Sequence, residues 1–249
     1  MTILQKLIEK VRNHKDNKSR PIRSYVIRSG RITNSQRQAI RRLWDDNVIP
    51  FSGELLDLGE IFQNSLPVTV EIGFGMGSSL IDMAHRDSGT NFLGIEVHKP
   101  GIGKVLKDIE IRGIKNLKLI CHDAAEVFNH ALENKSLDRG LVFFPAPWPK
   151  KRHAKRRIIQ PEFVTNISDK LKSNGCFHLA TDWLPYAEHM IEVLNEIPSL
   201  SNAIAPKVFW ENPARPATKF EKRGKKLGNK ILDLLYKKNE SYSNQSRCS

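Results

Sequence analysis

The sequence contains little cysteine and no long apolar run. Its 249 residues include three cysteines, Cys121, Cys176 and Cys248, which are far apart and odd in number. This pattern argues against a disulfide framework or a cysteine zinc site, and it fits a reducing compartment. No apolar run approaches a membrane span, and the first ten residues already mix lysine with glutamate, unlike a secretory signal. We therefore expect a soluble, cytoplasmic protein that holds no metal.

Acidic residues are scarce relative to basic ones. The chain has 27 Asp and Glu against 40 Lys and Arg, which gives a net charge of +13 and a pI of about 9.7. Such an excess is typical of proteins that meet a polyanion. A membrane surface would exert the same attraction, but the sequence lacks a long basic amphipathic helix with an aromatic face. Nucleic acid is therefore the expected partner.

The length suits one large α/β domain with appendages. Residues 1–50 are basic and weakly patterned, and they predict a partly flexible arm with a short helix that begins at Ser35. Residues 51–238 form the predicted main domain, and residues 239–249 form a polar tail that we expect to be frayed. The arm is open to two interpretations, an RNA contact or a solvated tail with a docking helix.

Residues 68–80, VTVEIGFGMGSSL, read as a buried strand, a tight turn and the start of a helix at Ser78. The turn holds Gly73, Gly75 and Gly77. Glycine permits backbone angles that other residues resist, and it lets a ligand lie against the main chain at a helix N-terminus. The turn therefore predicts a seat for a nucleotide-type cofactor. A glycine turn is weak evidence on its own, and one that binds nothing is the alternative.

Strand and helix patterns alternate from residue 68 onward, which predicts a parallel sheet with helices on both faces. Further strands are predicted at 91–96, 117–123, 141–144 and 176–182, with a last strand at 231–236; helices are predicted at 100–112, 161–172 and 184–196. A charged segment at 215–224 is interpreted as turn-like. The arrangement is that of an α/β fold with an open, mostly parallel sheet.

Three acidic residues follow the predicted strands at their carboxyl ends, where open α/β sheets bind ligands. Glu71 stands two positions before the first glycine, as in S-adenosylmethionine enzymes, where the carboxylate faces the cofactor's ammonium group. Glu96 lies about 20 residues after the turn, where an acid holds ribose hydroxyls. Asp123 is expected near an adenine ring. Together with the glycine turn, these acids favour an adenosyl cofactor.

The predicted strand at 141–144 runs into a rigid basic loop. Its sequence is PAPWP at 145–149 followed by KKRHAKRR at 150–157, in which six of eight residues are Lys or Arg. Three prolines leave few backbone donors and hold the loop in one shape. A cationic block this dense cannot be buried, and beside a ligand-binding edge it suits the phosphates of a folded RNA.

Five phrases, in order between about residues 68 and 228, resemble the bacterial tRNA (guanine-N7-)-methyltransferases. They are EIGFGMG, FLGIEVHKPG, PAPWPKKRHAKRR, HLATDWLPYAEHM and RPATKFEKRG. The resemblance implies a Rossmann-like, class I SAM-dependent methyltransferase fold. It also implies that S-adenosylmethionine (SAM) donates a methyl group to N7 of the variable-loop guanosine of tRNA, conventionally position 46, and leaves S-adenosylhomocysteine. It implies no obligate protein partner, and we expect a monomer.

The resemblance assigns roles to individual residues, which fall into three groups. Cofactor contacts are implied at Glu71, Gly73, Gly75, Gly77, Glu96, Asp123 and Ala146; substrate contacts at Lys150, Asp182, Thr218, Lys219, Phe220 and Glu221; and RNA contacts at Arg152, His153, Lys155, Arg156 and Arg157. Asp182 and Glu221 are the expected hydrogen-bond acceptors for the guanine edge.

Ala146 departs from the family pattern. The residue between the first two prolines of this loop is normally an aspartate that is regarded as catalytic, and here it is alanine. We therefore expect impaired activity. One alternative is a tRNA-binding protein that kept the fold with little or no catalysis. A second is a SAM methyltransferase for another acceptor, because a fold does not determine its substrate. A nicotinamide oxidoreductase is disfavoured by the glycine spacing.

Overall fold

The structure is a computed structural model that describes residues 22–26, 30–205, 208–211 and 213–240. Within these ranges no helix is long and apolar enough to cross a membrane. The strands are β1 (Val48–Ile49), β2 (Val68–Ile72), β3 (Asn91–Ile95), β4 (Leu117–Ile120), β5 (Leu137–Phe143), β6 (Leu171–Thr181), β7 (Leu200–Asn202) and β8 (Leu232–Lys238). The helices are α1 (Asn34–Asn47), α2 (Leu58–Phe62), α3 (Ser78–Arg86), α4 (Lys99–Arg112), α5 (Ala124–His130), α6 (Pro161–Lys170), α7 (Leu184–Asn195) and α8 (Lys219–Lys226), with a 3-10 turn at Lys151–Arg156.

The strands form one sheet in the order β1-β4-β3-β2-β5-β6-β8-β7. The first six strands in this order run parallel to one another. Strand β8 is antiparallel to both of its neighbours, β6 and β7. The connections turn in opposite directions on either side of the β2–β5 boundary. This is the switch point at which open α/β sheets bind ligands, and the glycine turn follows β2 there. The predicted mostly parallel, Rossmann-like α/β sheet is confirmed.

Apolar side chains on the two faces of the sheet form separate cores. On one face, Val70 and Ile72 of β2 pack in a cluster with Phe128 of α5. On the other face, Phe92 of β3 joins a cluster that includes Leu80 of α3. Because successive strand residues point to opposite faces, a continuously apolar strand is what a sheet covered on both sides requires.

Helix α1 packs against α4 and is part of the folded body. Thr33 and Gln36 form a reciprocal capping box at its start, which satisfies helix N–H groups. The Gln36 Nε2 atom donates a hydrogen bond to the carbonyl oxygen of Pro100 at 3.2 Å. Arg42 forms an exposed ion pair with Glu110 at 2.8 Å. The Gln36 bond positions the first turn of α4 beside the glycine turn, whereas the Arg42 pair lies at the far end of α4. The predicted division at residue 50 stays a prediction. Residues 1–21 and 27–29 of the arm, and residues 241–249 of the tail predicted at 239–249, lie outside the described part.

Several predicted boundaries differ from the structure. Strand β5 begins at Leu137, four residues earlier than predicted, and β6 begins at Leu171, where the helix at 161–172 was expected to continue. Leu137 pairs with Leu171, and the register then shifts before Arg139 pairs with Cys176. The pairing of these polar strand starts overrides their weak strand pattern. The turn-like interpretation of 215–224 is wrong for its second half, because α8 begins at Lys219 under a Thr218 cap.

Candidate functional site

A cleft of about 430 Å³ lies at the switch point. The glycine turn forms its floor, and the 145–149 loop forms one wall. Its lining includes five of the predicted site residues, Gly73, Gly75, Glu96, Ala146 and Phe220. These five residues, of which Gly73 and Phe220 are 147 positions apart, meet here since the carboxyl ends of parallel strands share one edge of the sheet.

The glycine turn depends on backbone that side chains would obstruct. Gly77 has φ 71°, and a Cβ atom there would lie 2.1 Å from the Val105 side chain. Across the turn, a Cβ atom on Gly101 would lie 1.9 Å from the carbonyl oxygen of Gly75. The first turns of α3 and α4 are thus in close contact around the loop. This brings helix N-termini, which favour polar and anionic groups, to the floor of the cleft.

Glu96 holds the glycine turn in shape. One carboxylate oxygen accepts the Gly75 N–H at 2.7 Å, and the other accepts the N–H groups of Val97 at 2.7 Å and His98 at 3.0 Å. Hydrogen bonds to an ionised acceptor are among the stronger ones in proteins. Glu96 therefore connects the end of β3 to the turn after β2. Its predicted contact with ribose hydroxyls stays a prediction.

Glu71 is buried beneath the turn and is 3 % exposed. Its Oε2 atom has no hydrogen-bond partner among the described residues. Burial first, and then the charge of Glu96, outweigh the attraction of Arg215 and raise the pKa of Glu71 to about 8. An unpartnered buried carboxyl group is costly, so this atom fits a missing cationic or hydrogen-bonding partner. The predicted contact with the cofactor's ammonium group stays a prediction.

Asp123 caps α5, because its Oδ1 atom accepts the Ala125 N–H at 3.0 Å. Tyr25, from the N-terminal arm, lies beside it; burial first, and then the charge of Asp123, raise the pKa of the Tyr25 hydroxyl. The neighbouring His122 lines the cleft and stacks on Phe51, with ring centroids 3.9 Å apart. This end of the cleft is therefore aromatic, and Asp123 lines an adjoining depression that it shares with Ser24 and Arg156. No group of His, Cys, Asp and Glu in the described ranges is arranged to hold a metal ion.

The proline loop, residues 145–149, holds an arm segment, residues 22–26, at the opening of the cleft. Trp148 donates its indole N–H to the Ser24 carbonyl oxygen at 3.0 Å. The Arg156 guanidinium lies 3.9 Å from the Trp148 ring centroid and donates to the carbonyl oxygens of Arg23 and Tyr25. A cation over the face of tryptophan is a favourable contact, and these bonds hold the arm against the opening. Ala146 is exposed in the same wall.

The basic segment 150–157 divides into two sets that the sequence does not distinguish. Lys150, Arg152 and Lys155 are exposed. Arg156 is engaged with the arm, and Arg157 donates to the Pro147 carbonyl oxygen at 3.1 Å while lying over the Tyr186 ring. The exposed residues extend a cationic surface from the lip of the cleft, whereas the other two arginines brace the loop. The RNA contacts predicted for this segment, at Arg152, His153, Lys155, Arg156 and Arg157, stay predictions.

The opposite wall carries Phe220, and the predicted substrate residues next to it, Asp182, Thr218, Lys219 and Glu221, do not line the cleft. Asp182 follows β6, accepts a hydrogen bond from Asn229 at 3.1 Å and packs against Gly224 of α8. Lys219 and Phe220 are exposed at the start of α8, and Phe220 reaches the cleft. Thr218 is buried as the cap of that helix.

Glu221 is 6 % exposed, and both of its carboxylate oxygens are engaged, with Arg215 and Lys225 at 2.6 Å each. Neither oxygen is open to a ligand in this arrangement, and its predicted role as a guanine acceptor stays a prediction.

A buried ionic group underlies this wall. We call Arg215, Glu221, Asp233 and His178 the Arg215 cluster. Arg215 binds Asp233 with two parallel hydrogen bonds, at 2.7 and 2.8 Å, and His178 shares an Asp233 oxygen at 2.7 Å. Burial opposes the charge on Asp233, but the hydrogen bonds from His178 and Arg215 prevail and lower its pKa. Burial is the main reason that the pKa of His178 is also lowered. The cluster thus keeps charged carboxylates inside the protein.

Sequence reasoning missed Arg215, His178 and Tyr25 as neighbours of the site. Arg215 belongs to the phrase RPATKFEKRG, and His178 stands in a continuously buried strand, where a polar residue needs a partner. That signal indicates that His178 has a partner but does not identify Asp233, which lies 55 positions away. Tyr25 had no signal beyond its place in a basic segment.

The chain was compared with known proteins. A family model described as "Putative methyltransferase" matches residues 65–234. The tRNA (guanine-N(7)-)-methyltransferase of Vibrio parahaemolyticus is 50 % identical over 221 residues, which cover 88 % of this chain and 92 % of the relative. The enzyme of the same name from Photorhabdus laumondii is 47 % identical over 220 residues, covering 88 % and 92 %.

Among solved structures, the 16S rRNA methyltransferase KamB aligns with a TM-score of 0.55 and 14 % identity, and the alignment covers 75 % of this chain and 95 % of KamB. This likeness supports the fold alone. Identity near one half over almost the whole of the curated relatives is far stronger, and the range matched by the family model spans the glycine turn, the proline loop and α8. The chain belongs to the tRNA (guanine-N7-)-methyltransferase family.

Proposed function

We propose that this protein transfers a methyl group from SAM to N7 of the variable-loop guanosine of tRNA, position 46. The observation that carries the proposal is the match, at 50 % identity over 88 % of the chain, to a relative named tRNA (guanine-N(7)-)-methyltransferase; the donor and position 46 are the finer part of the proposal. The cleft adds physical support. Its floor is a glycine turn, one wall is the proline loop and its lip is cationic, which is what a nucleotide cofactor and an RNA acceptor require.

The residues of the cleft fit SAM. Glu71 has a buried oxygen without a partner, which an ammonium group would satisfy. Gly73 and Gly75 leave bare main chain at the floor, and the volume of about 430 Å³ is in the range of small-molecule sites. His122 and Asp123 would hold the adenine end, where one aromatic face and one acceptor suit a purine. When bound, SAM supplies a methyl group on a positively charged sulfur.

Guanine N7 carries a free lone pair, so its attack on a methyl carbon needs no prior loss of a proton. As the new N–C bond forms, the C–S bond breaks, its electron pair stays on sulfur and the base gains a positive charge. The protein therefore contributes mainly alignment, exclusion of water and electrostatics. The two walls that carry Ala146 and Phe220 would align the base, and the arm over the opening would exclude water.

Ala146 removes a negative charge from the wall beside the reacting atoms. A carboxylate at this position would hold the guanine N1 and N2 hydrogens or the cofactor's ammonium group, and would offset the charge on the methylated base. We therefore expect Ala146→Asp to raise the methylation rate by roughly 10²-fold or more, as for one positioned electrostatic contact. Because position 146 lies within the cleft rather than on the cationic lip, tRNA affinity should change little.

The test is a labelled-methyl assay with SAM and unmodified tRNA, followed by mapping of the modified base. It is run on this chain beside Ala146→Asp, with a transcript whose position 46 is adenosine as the control. Label at guanosine 46 in the first transcript alone supports the proposal. Label at another base, or only in protein, would instead favour a different acceptor.

Ala146 itself favours a second candidate, a tRNA-binding protein with little catalysis. Under that candidate, both versions bind tRNA and neither transfers a methyl group. The unpartnered Glu71 carboxyl argues against it, because a protein that binds no cofactor has no physical need for a buried acid under a glycine turn.

A further inference from the structure

Helix α8 is attached to the body mainly by charge. It has eight residues, and the two that are buried are Glu221 and Gly224. An isolated helix this short is unstable in water, and α8 has no buried apolar residue to anchor it. Its buried attachments are the Glu221 ion pair with Arg215 and the packing of Gly224 on Asp182. The direction in which α8 points therefore depends on Arg215.

Arg215 also contacts the sheet and the far wall of the cleft. Its guanidinium group binds Asp233 of β8 through two hydrogen bonds and Glu221 through a third. The same group lies 5.0 Å from the ring centroid of Phe143 and 5.7 Å from that of Phe144, which leads into the 145–149 loop. A planar fork of donors fixes angles as well as distances, and a lysine ammonium group does not.

The residue that α8 presents to the cleft is Phe220, which is 56 % exposed. It is adjacent in sequence to Glu221, so a rotation of α8 moves it directly. Phe144, on the other wall, is held by its N–H bond to the Ala180 carbonyl oxygen at 2.7 Å. The Arg215 side chain, which is 5 % exposed, thus contacts Glu221 under one wall and the Phe144 ring at the base of the other.

We propose that Arg215 is a positioning residue for the methyl acceptor, which holds α8 and Phe220 at a set distance from the loop that carries position 146. The inference rests on the proposed tRNA methylation. Arg215 does not line the cleft and acts through Glu221 and Phe144. Its loss should therefore slow methyl transfer without weakening the cofactor half of the cleft.

The experiment uses Arg215→Lys in the full-length Ala146→Asp background, where transfer is expected to be faster. The matched control is Arg42→Lys, which alters an arginine–glutamate pair whose arginine side chain is 54 % exposed. Three quantities are measured: the single-turnover methylation rate at saturating tRNA and SAM, SAM affinity by calorimetry, and hydrogen–deuterium exchange of a peptide spanning residues 216–227. Glu221→Gln, which keeps the side-chain shape, replaces Arg215→Lys if that variant does not fold.

We expect Arg215→Lys to slow transfer by roughly tenfold to a hundredfold, as a small misplacement of reacting groups does. SAM affinity should stay within about twofold, and exchange should rise in 216–227 but not in the glycine turn. Adding Phe220→Ala should cause no further loss beyond the larger single loss, because residues that act as one unit are not additive. The control should match the parent in all three measurements.

A parent-like methylation rate in Arg215→Lys would overturn the proposal. So would a fall in SAM affinity as large as the fall in rate, or rate losses that multiply when Arg215→Lys and Phe220→Ala are combined. The exchange measurement separates this inference from the proposed function. If the parent methylates no tRNA, the proposed function fails, whatever the exchange shows. If the parent is active and exchange in 216–227 is unchanged in the variant, it is the positioning role that fails.

Discussion

The two sides of the cleft are built by different kinds of contact. On the cofactor side, Glu96 binds main-chain N–H groups no more than 21 positions away. On the acceptor side, the Arg215 cluster joins side chains such as His178 and Asp233, which are 55 positions apart. The first side is a local backbone structure with one acid, and the second is a tertiary ionic network. One cleft therefore combines a ligand-binding turn held by main-chain bonds with a wall that is held by a separate ionic network.

The largest expected effect concerns the stability of the acceptor side. Asp233→Asn removes one of the two carboxylates that bind the Arg215 guanidinium, the one with two parallel hydrogen bonds, at a position that is 2 % exposed. Breaking a buried pair in this way typically destabilises a protein by about 3–5 kcal/mol. Urea unfolding measures the change. The control Glu110→Gln breaks an exposed pair with Arg42 and should change stability by less than about 1 kcal/mol. Equal effects would show that the acceptor side does not depend on buried charge.

Next in size is a loss of cofactor binding on the other side. Glu96→Ala removes three charge-assisted hydrogen bonds that shape the glycine turn. At about 1.5–3 kcal/mol for bonds to a charged group, SAM affinity should fall by roughly tenfold to a hundredfold. Calorimetric titration measures it, with Glu110→Ala, which removes an exposed carboxylate at the far end of α4, as the control. Unchanged affinity would mean that the turn keeps its shape without Glu96.

The pH dependence of stability distinguishes the two sides more finely. The folded protein raises the pKa of Glu71 from its ordinary 4.5 to about 8, because of burial. The folded state therefore binds this proton more tightly than the unfolded state does. Its contribution to stability is complete below about pH 4.5 and is lost as pH rises through about 8. Asp233 and Glu221, whose pKa values are lowered, act in the opposite direction at lower pH.

Glu71→Gln isolates that effect, because glutamine stays neutral at every pH. The variant should gain in unfolding free energy relative to the parent as pH increases from about 5 to about 8. The shared contributions of Asp233 and Glu221 cancel in this difference. Urea unfolding of both proteins at several pH values measures it. A difference that does not vary with pH would show that Glu71 is ionised throughout.

The smallest expected effect concerns the cationic lip. The exposed Arg152 is suited to a phosphate, whereas Arg157 is engaged with Pro147 and Tyr186. Arg152→Ala should weaken tRNA binding similarly for all sequences and reduce the slope of log affinity against log salt by about 1. Arg157→Ala should leave that slope nearly unchanged. Filter binding at several salt concentrations measures both, and equal slopes would remove the division between them.

The glycine side of the cleft was easier to locate from the sequence than the side formed by α8, for physical reasons. Gly73, Gly75 and Glu96 lie at strand ends that hydrophobic periodicity can locate, and their meeting at one edge follows from the geometry of parallel sheets. Helix α8 was missed because its buried residues are a glutamate and a glycine, so it has no apolar stripe to detect.

Tertiary pairings explain the other differences. The early start of β5 at Leu137 depends on pairing with the bulged start of β6, which local propensity does not encode. The division of the basic segment is of the same kind, because Arg156 and Arg157 find partners in Tyr25 and Tyr186, far away in sequence. A run of like charges predicts a polyanion surface but does not indicate which members face it.

The close approach of Gly101 to Gly75 has a consequence for anyone who redesigns this fold. A methyl group on Gly101 would lie 1.9 Å from a main-chain oxygen that no rotamer change can move. The two glycines, though 26 positions apart in the printed sequence, therefore form a single steric constraint. Substitution libraries that vary position 101 will report losses that originate at position 75, and loop grafts into this turn will succeed only when the partner helix is transferred with them.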